Sequence, residues 1–143
     1  MTRRIRSLAA LLAAALLLGC EGAPSGPPTA DLSEEMNLAQ VGEMLREYQL
    51  NKGKPPKTLK ELRTSPGSAL GGVELVASGD VVVLYGVPLP DTKEELGGSP
   101  NEEILAYGKE VPTKGGAVLL LNRTVKRMTA DEFKAAPQAK PGS

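Results

Sequence analysis

The chain has 143 residues, and 17 Lys plus Arg against 17 Asp plus Glu leave no formal net charge to attract nucleic acid or an anionic membrane. It contains no His, one Cys and no Trp. A Ser-His-Asp triad, a His-bearing zinc site, a His general base and an intrachain disulfide are therefore excluded for this chain alone.

The first twenty residues have three parts: a basic start at Arg3, Arg4 and Arg6, an uninterrupted apolar stretch from Leu8 to Leu18, and Gly19-Cys20. This is the layout of a secretory leader. Eleven apolar residues at 1.5 Å each cover only about 16 Å of helix, roughly half a hydrocarbon core, so an export signal is expected rather than a membrane span. Instead of an A-x-A ending the leader closes on Leu17-Leu18-Gly19-Cys20, which resembles the lipobox of bacterial lipoproteins. The resemblance implies cleavage between Gly19 and Cys20, a diacylglyceryl group on the Cys20 sulfur and acylation of the new amino terminus. Each buried acyl CH₂ contributes about 0.8 kcal/mol, so two or three chains anchor stably where one does not. The implied location is a membrane surface, lipid-anchored and facing the periplasm or cell exterior. Glu21, in place of the Asp that retains many lipoproteins in the inner membrane, points by the same analogy to the outer one.

Cleavage there leaves 124 residues with 14 basic and 17 acidic side chains. Their only aromatics are Tyr48, Tyr85, Tyr107 and Phe133, so the core must be aliphatic and base-stacking platforms have too little material; no nucleic-acid partner is expected. From Cys20 to Ala30 the chain is a lipidated end followed by EGAPSGPPTA, whose Pro and Gly read as a flexible tether reaching up to roughly 30 Å if extended. The domain is expected over 31–134, and 135–143, AAPQAKPGS, is expected to be disordered.

Within the domain, Asp31 or Ser33 can cap a helix running to about Leu50, with Leu38, Val41, Met44, Leu45 and Tyr48 on one apolar face and Glu43, Arg46, Glu47 and Gln49 opposite. Asn51-Lys52-Gly53 and Pro55-Pro56 end it. Thr58 and Glu61 form a capping-box pattern over Leu59 and Leu62. Val73 to Ala77 and Val81 to Val87, separated by Ser78-Gly79-Asp80, read as a hairpin, with Val81 to Val87 favoured as a buried central strand. Asp91 to Glu103 reads as a polar excursion and Ile104 to Tyr107 as a strand. Ala117 to Leu121 and Thr124 to Met128 form a second hairpin around Asn122-Arg123, and Thr129 with Glu132 caps a last turn presenting Phe133. A helix followed mostly by hairpins predicts an α+β fold: one N-terminal amphipathic helix packed on a small antiparallel β-sheet.

Asn37 through Leu62, with Tyr48, the Gly53-Lys54-Pro55-Pro56 linker, Leu59 and Leu62, resembles the start of the soluble domain of type II secretion pseudopilins. Ile104 to Tyr107, Gly115-Gly116, Val118 to Leu121, Val125 and Glu132-Phe133 resemble the closing strands of DUF1559-type pilin-like proteins. Both imply a pilin-like soluble domain. A lipobox in place of the pilin processing site implies that the chain does not polymerise as a pilin does. Asp31, Asp80, Asp91 and Asp131 are too scattered for the calcium loop of major pseudopilins, and no metal or cofactor is expected.

Other candidate features have plainer readings. Lys52, Lys54, Lys57 and Lys60 form a basic patch suited to lipid head groups or an acidic partner, weighed against a solvated face. Thr113 to Gly116 lacks the P-loop spacing and reads as a turn. Glu34-Glu35, Glu94-Glu95 and Glu102-Glu103 are adjacent pairs in polar contexts, poorly placed for paired-carboxylate catalysis. No catalytic residue is assigned. The sequence therefore predicts a non-enzymatic, lipid-anchored envelope protein that contacts other envelope proteins. The alternative is a small-ligand or glycan-binding lipoprotein using Asp91 to Asn101, and a hydrolase with a Ser or Thr nucleophile ranks third.

Overall fold

The computed structural model describes residues 30–64 and 71–142; the leader, Gly19, Cys20 and nearly all of the expected tether lie outside the described residues. The architecture is α+β, with a four-stranded antiparallel sheet and helices on both its faces. Helix α1 spans Ala30–Lys52, beginning before either anticipated cap and running two residues past Leu50. It buries Leu38, Val41, Gly42, Met44, Leu45 and Tyr48. Gly53, at φ 67°, closes the helix through its N–H to the Gln49 carbonyl at 2.8 Å. In α2, Leu59–Leu62, the Thr58 hydroxyl accepts the Glu61 N–H at 3.2 Å, and Glu61 returns to the N–H of Lys57 rather than to that of Thr58.

The expected first hairpin is not formed. Gly72–Ala77 is a helix, α3, and only Val81–Val83, β1, is extended. The β-branched side chains lose to packing, because Val73 is buried and Gly72 lies against α1, where a Cβ on it would meet Met44 Cε at 3.4 Å. Nor is Val81 to Val87 a central strand. The strand order is β1-β2-β3-β4, so β1 is an edge, although Val81 and Val83 are themselves buried. The chain leaves the sheet at Tyr85-Gly86, where the Gly86 N–H turns to the Pro56 carbonyl at 2.8 Å.

Strand β2 is Ile104–Gly108 and α4 is Val111–Lys114, followed by β3, Gly116–Leu120, and β4, Val125–Met128. The pairing is a meander, with Val83 opposite Ala106, Tyr107 opposite Val118 and Val118 opposite Lys126. Every residue of β3 is buried. Ala117 and Leu119 join the core beneath α1, while Val118 and Leu120 join Ile104, Val111 and Phe133 on the other face. This two-sided burial explains an unbroken apolar run where a half-exposed strand would alternate.

Helix α5, Ala130–Ala135, presents Phe133 edge-on to Tyr107 with ring centroids 4.8 Å apart. Its capping box is complete, and the Glu132 carboxylate is held below its usual range by the backbone N–H of Thr129 at 2.7 Å and then by the Thr129 hydroxyl at 3.0 Å. A carboxyl whose folded value lies below its unfolded value, about 4.3, stabilises the fold above that unfolded value and stops doing so as pH falls through the folded one. Thermal unfolding of the wild type followed below pH 5 is therefore expected to drop more steeply than that of Glu132→Gln. Parallel curves would show that the cap carries no such linkage.

The tail is a further correction. Residues 136–142, expected to be disordered, run beside the start of β2: the Ile104 N–H donates to the Pro137 carbonyl and the Ala139 N–H to the Ile104 carbonyl, each at 2.9 Å. Ala139 is buried, and the Gly142 N–H reaches the Gly86 carbonyl at 3.0 Å. The reason is geometric. β1 covers β2 only from Ala106 onward, which leaves the outward backbone groups of Ile104 in need of partners, and the tail supplies them.

Candidate functional site

The long connection from β1 to β2 is polar at its tip, yet it is fastened along its length by side chains from α1 and from the β3–β4 turn. On α1, Gln49 exchanges two bonds with the backbone of Leu89, at 2.8 and 2.9 Å, and Arg46 Nε donates to the Thr92 carbonyl at 2.8 Å. The face of α1 carrying Glu43, Arg46 and Gln49 is therefore a fastening edge.

Arg123 completes the clamp. It is the only non-glycine residue with positive φ among the described residues, at 66°, in the turn position where glycine is ordinarily favoured. Its side chain is 2% exposed, and its guanidinium bonds Glu43 Oε1 at 2.8 Å, the Glu95 carbonyl at 2.9 Å and the Lys93 carbonyl. Glu43 also meets Arg46 at 3.1 Å. The planar fork suits this task because it spans two carbonyls and a carboxylate at once. Two further bonds hold the loop to the same turn: the Gly97 N–H donates to the Asn122 carbonyl, and the Asn122 N–H to that of Asn101, each at 3.0 Å.

The clamped loop presents Lys93, Glu94, Glu95 and Leu96 to solvent, Leu96 at 53% exposure. Glu43 also lines a shallow apolar depression on the outer side of α1 with Met36, Ala39 and Gln40. Glu43 thus links the apolar depression of α1 to the clamp under the displayed loop. That arrangement offers an exposed leucine directly after three exposed charged residues on a backbone fixed beforehand, the composition of a protein contact with a small apolar centre and polar neighbours.

An open depression of about 470 Å³ lies between the start of α1 and β1, lined by Ser33, Glu34, Asn37, Leu75, Asp80 and Gly108 among others. Its acids already have partners. Arg127 meets Asp31 at 3.0 Å, Glu34 at 3.1 Å and Glu35 at 4.0 Å. The Lys109 ammonium, bonded to Asp80 at 2.7 Å, and then the Ser78 hydroxyl hold the Asp80 carboxyl below its usual range.

Of the remaining sequence candidates, Thr113 and Lys114 lie in α4, and Gly115, at φ 77°, turns the chain into β3; a strand follows where a phosphate loop needs a helix. Glu94 and Glu95 are exposed, as is Glu102, whereas Glu103 turns Oε2 inward without a hydrogen-bond partner. Lys52, Lys54, Lys57 and Lys60 are exposed around the end of α1. Gly19 and Cys20 lie outside the described residues. Among the described residues, no group of three or more His, Cys, Asp or Glu side chains is placed to hold a metal ion. The clamp itself was not read from the sequence. Its one visible signal is an arginine between Leu119-Leu120-Leu121-Asn122 and Thr124-Val125, charged where a tight turn ordinarily takes glycine.

Comparison of the chain with protein-family models, with curated proteins and with solved structures finds no match.

Proposed function

We propose that this protein is a lipid-anchored cell-envelope protein with a pilin-like α+β domain, and that it works without catalysis, by holding a protein partner on the loop clamped by Arg123. The membrane part of this reading rests on the basic-apolar-Cys20 order of the first twenty residues. Likeness to pilins rests on the sequence motifs around Tyr48, Gly53 to Pro56 and Val118 to Leu121. One observation carries the contact role: a non-glycine residue held at positive φ has its guanidinium buried beneath a loop whose own side chains face solvent. Backbone strain of this kind, of order 1–3 kcal/mol, persists where the surroundings enforce it, and a loop ordered in advance loses less entropy on binding. Glycan binding by the same loop is less favoured, because the guanidinium is occupied by the loop's own carbonyls and the loop has no aromatic face.

The test has two arms. A photo-crosslinking residue placed at Leu96 is expected to give one reproducible protein adduct in cells, and the same residue at Lys134 none. Intact mass of the purified protein is expected to show a chain beginning at Cys20 with added acyl mass, abolished in Cys20→Ala. An absent adduct at Leu96 overturns the contact role; an unmodified thiol on a full-length chain overturns the anchor.

A further inference from the structure

The described charges are unevenly distributed. Residues 52–63 carry Lys52, Lys54, Lys57, Lys60 and Arg63 against one acid, Glu61, whereas the other described residues carry nine basic and fifteen acidic side chains. Six of those nine cations, Arg46, Lys109, Lys114, Arg123, Arg127 and Lys134, pair with a carboxylate within 4.0 Å. None of the five in 52–63 has such a partner among the described residues, and all five are exposed. Glu61 is tied to the segment itself, its Oε2 accepting the Lys57 N–H at 2.8 Å and the Tyr48 hydroxyl at 3.4 Å, and it offsets only one of the five charges.

The segment that carries them is firmly held. Pro56 is buried, with its carbonyl accepting the Gly86 N–H, and Leu62 is fully buried. Complementing the dipole at the end of α1 accounts for Lys52 alone. A local charge of +4 on a fixed, exposed turn, against −6 on the other described residues, is an uneven charge distribution suited to an anionic surface.

We propose that residues 52–63 dock the domain on anionic phospholipid, with Lys52, Lys54, Lys57, Lys60 and Arg63 meeting the headgroup phosphates. The choice of lipid over an acidic protein rests on the anchored reading proposed above, which places a bilayer within reach. Helix α1, about 34 Å long at 1.5 Å per residue, separates this lobe from Ala30, where the tether enters, so anchor and lobe together lay the helix along the bilayer. The acidic remainder is repelled by the same surface, which fixes the side presented.

The experiment labels the protein as purified from cells with an amine-reactive reagent in the presence of phosphatidylcholine vesicles, with or without phosphatidylglycerol, and reads each lysine by mass spectrometry. Phosphatidylglycerol is expected to slow labelling of Lys52, Lys54, Lys57 and Lys60 by roughly threefold or more while leaving Lys109, Lys114 and Lys134 unchanged, and about 0.5 M salt is expected to abolish the difference. Lys57→Glu with Lys60→Glu, at exposed positions that leave the fold intact, is expected to remove the protection at Lys52 and Lys54. Equal rates on both vesicles, or protection spread over all lysines, would overturn the proposal. Protection by soluble polyglutamate but not by vesicles would do so as well, assigning the lobe to an acidic protein. A lipidated chain without protection sinks this inference alone; protection of a chain with a free Cys20 thiol sinks only the anchor.

Discussion

Arg123→Ala is expected to lower the unfolding free energy by about 3 kcal/mol, because it removes three charge-assisted hydrogen bonds made by a side chain that is only 2% exposed. The ion pair itself is the smaller part of that loss. Glu43 is 41% exposed and keeps Arg46 at 3.1 Å, so its charge remains solvated and paired when Arg123 is gone. The carbonyls of Lys93 and Glu95 lose the donor that ties the loop to the turn, which is the larger part. Two further substitutions separate the contributions. Arg123→Gly loses the same bonds but relieves the strain at φ 66°, so it is expected to be about 1 kcal/mol less damaging than alanine. Arg123→Lys keeps the charge beside Glu43 yet cannot span both carbonyls, and falls between the wild type and glycine. Urea unfolding gives the order, and hydrogen exchange at the Gly97 amide, bonded to Asn122, reports whether the loop is the part released. An alanine variant within about 0.5 kcal/mol of the wild type would remove the clamp from the account of both stability and function.

The sequence carries the antiparallel α+β plan because local signals and tertiary packing agree there. Val118 to Leu121 with Val125 is wholly apolar, the turn between them contains Asn122, and Thr129 with Glu132 satisfies helix N–H groups wherever the chain lies. It misleads where a local preference is overruled. Val73 to Ala77 reads as a strand from its valines, but the neighbouring Gly72 packs on Met44, and a short helix seats Val73 in the core better than a hairpin would. Composition misleads in the same way for AAPQAKPGS, since nothing in those residues announces that Ile104 has backbone groups in want of partners. The clamp was hidden for a third reason. Glu43, Arg46 and Gln49 lie 80, 77 and 74 residues from Arg123 in the chain, and as a helix stripe they resemble a solvated face. Only the sheet, which sets the β3–β4 turn beside α1, turns that stripe into a binding edge for the loop.

The joint between α1 and the sheet yields the second large effect. Leu119 of β3 is fully buried, and a Cβ on Gly42 of α1 would lie 3.1 Å from its Cδ1. Leu119→Ala is expected to cost about 3–4 kcal/mol, the lost transfer energy of the removed carbons together with a cavity that the surrounding helix and strands fill only in part. Gly42→Ala alone is expected to change stability by no more than about 0.5 kcal/mol, since a helix-propensity gain near 1 kcal/mol is opposed by crowding against Leu119. Combined with Leu119→Ala the crowding is gone and the new methyl occupies part of the cavity. The same Gly42→Ala is then expected to restore about 1–2 kcal/mol, a favourable coupling that two independent sites would not show. Denaturant midpoints of the four proteins complete the cycle. Additivity within about 0.3 kcal/mol would mean that helix and strand do not meet at this glycine, and that the close approach of α1 to β3 is not what fixes Glu43 under the loop.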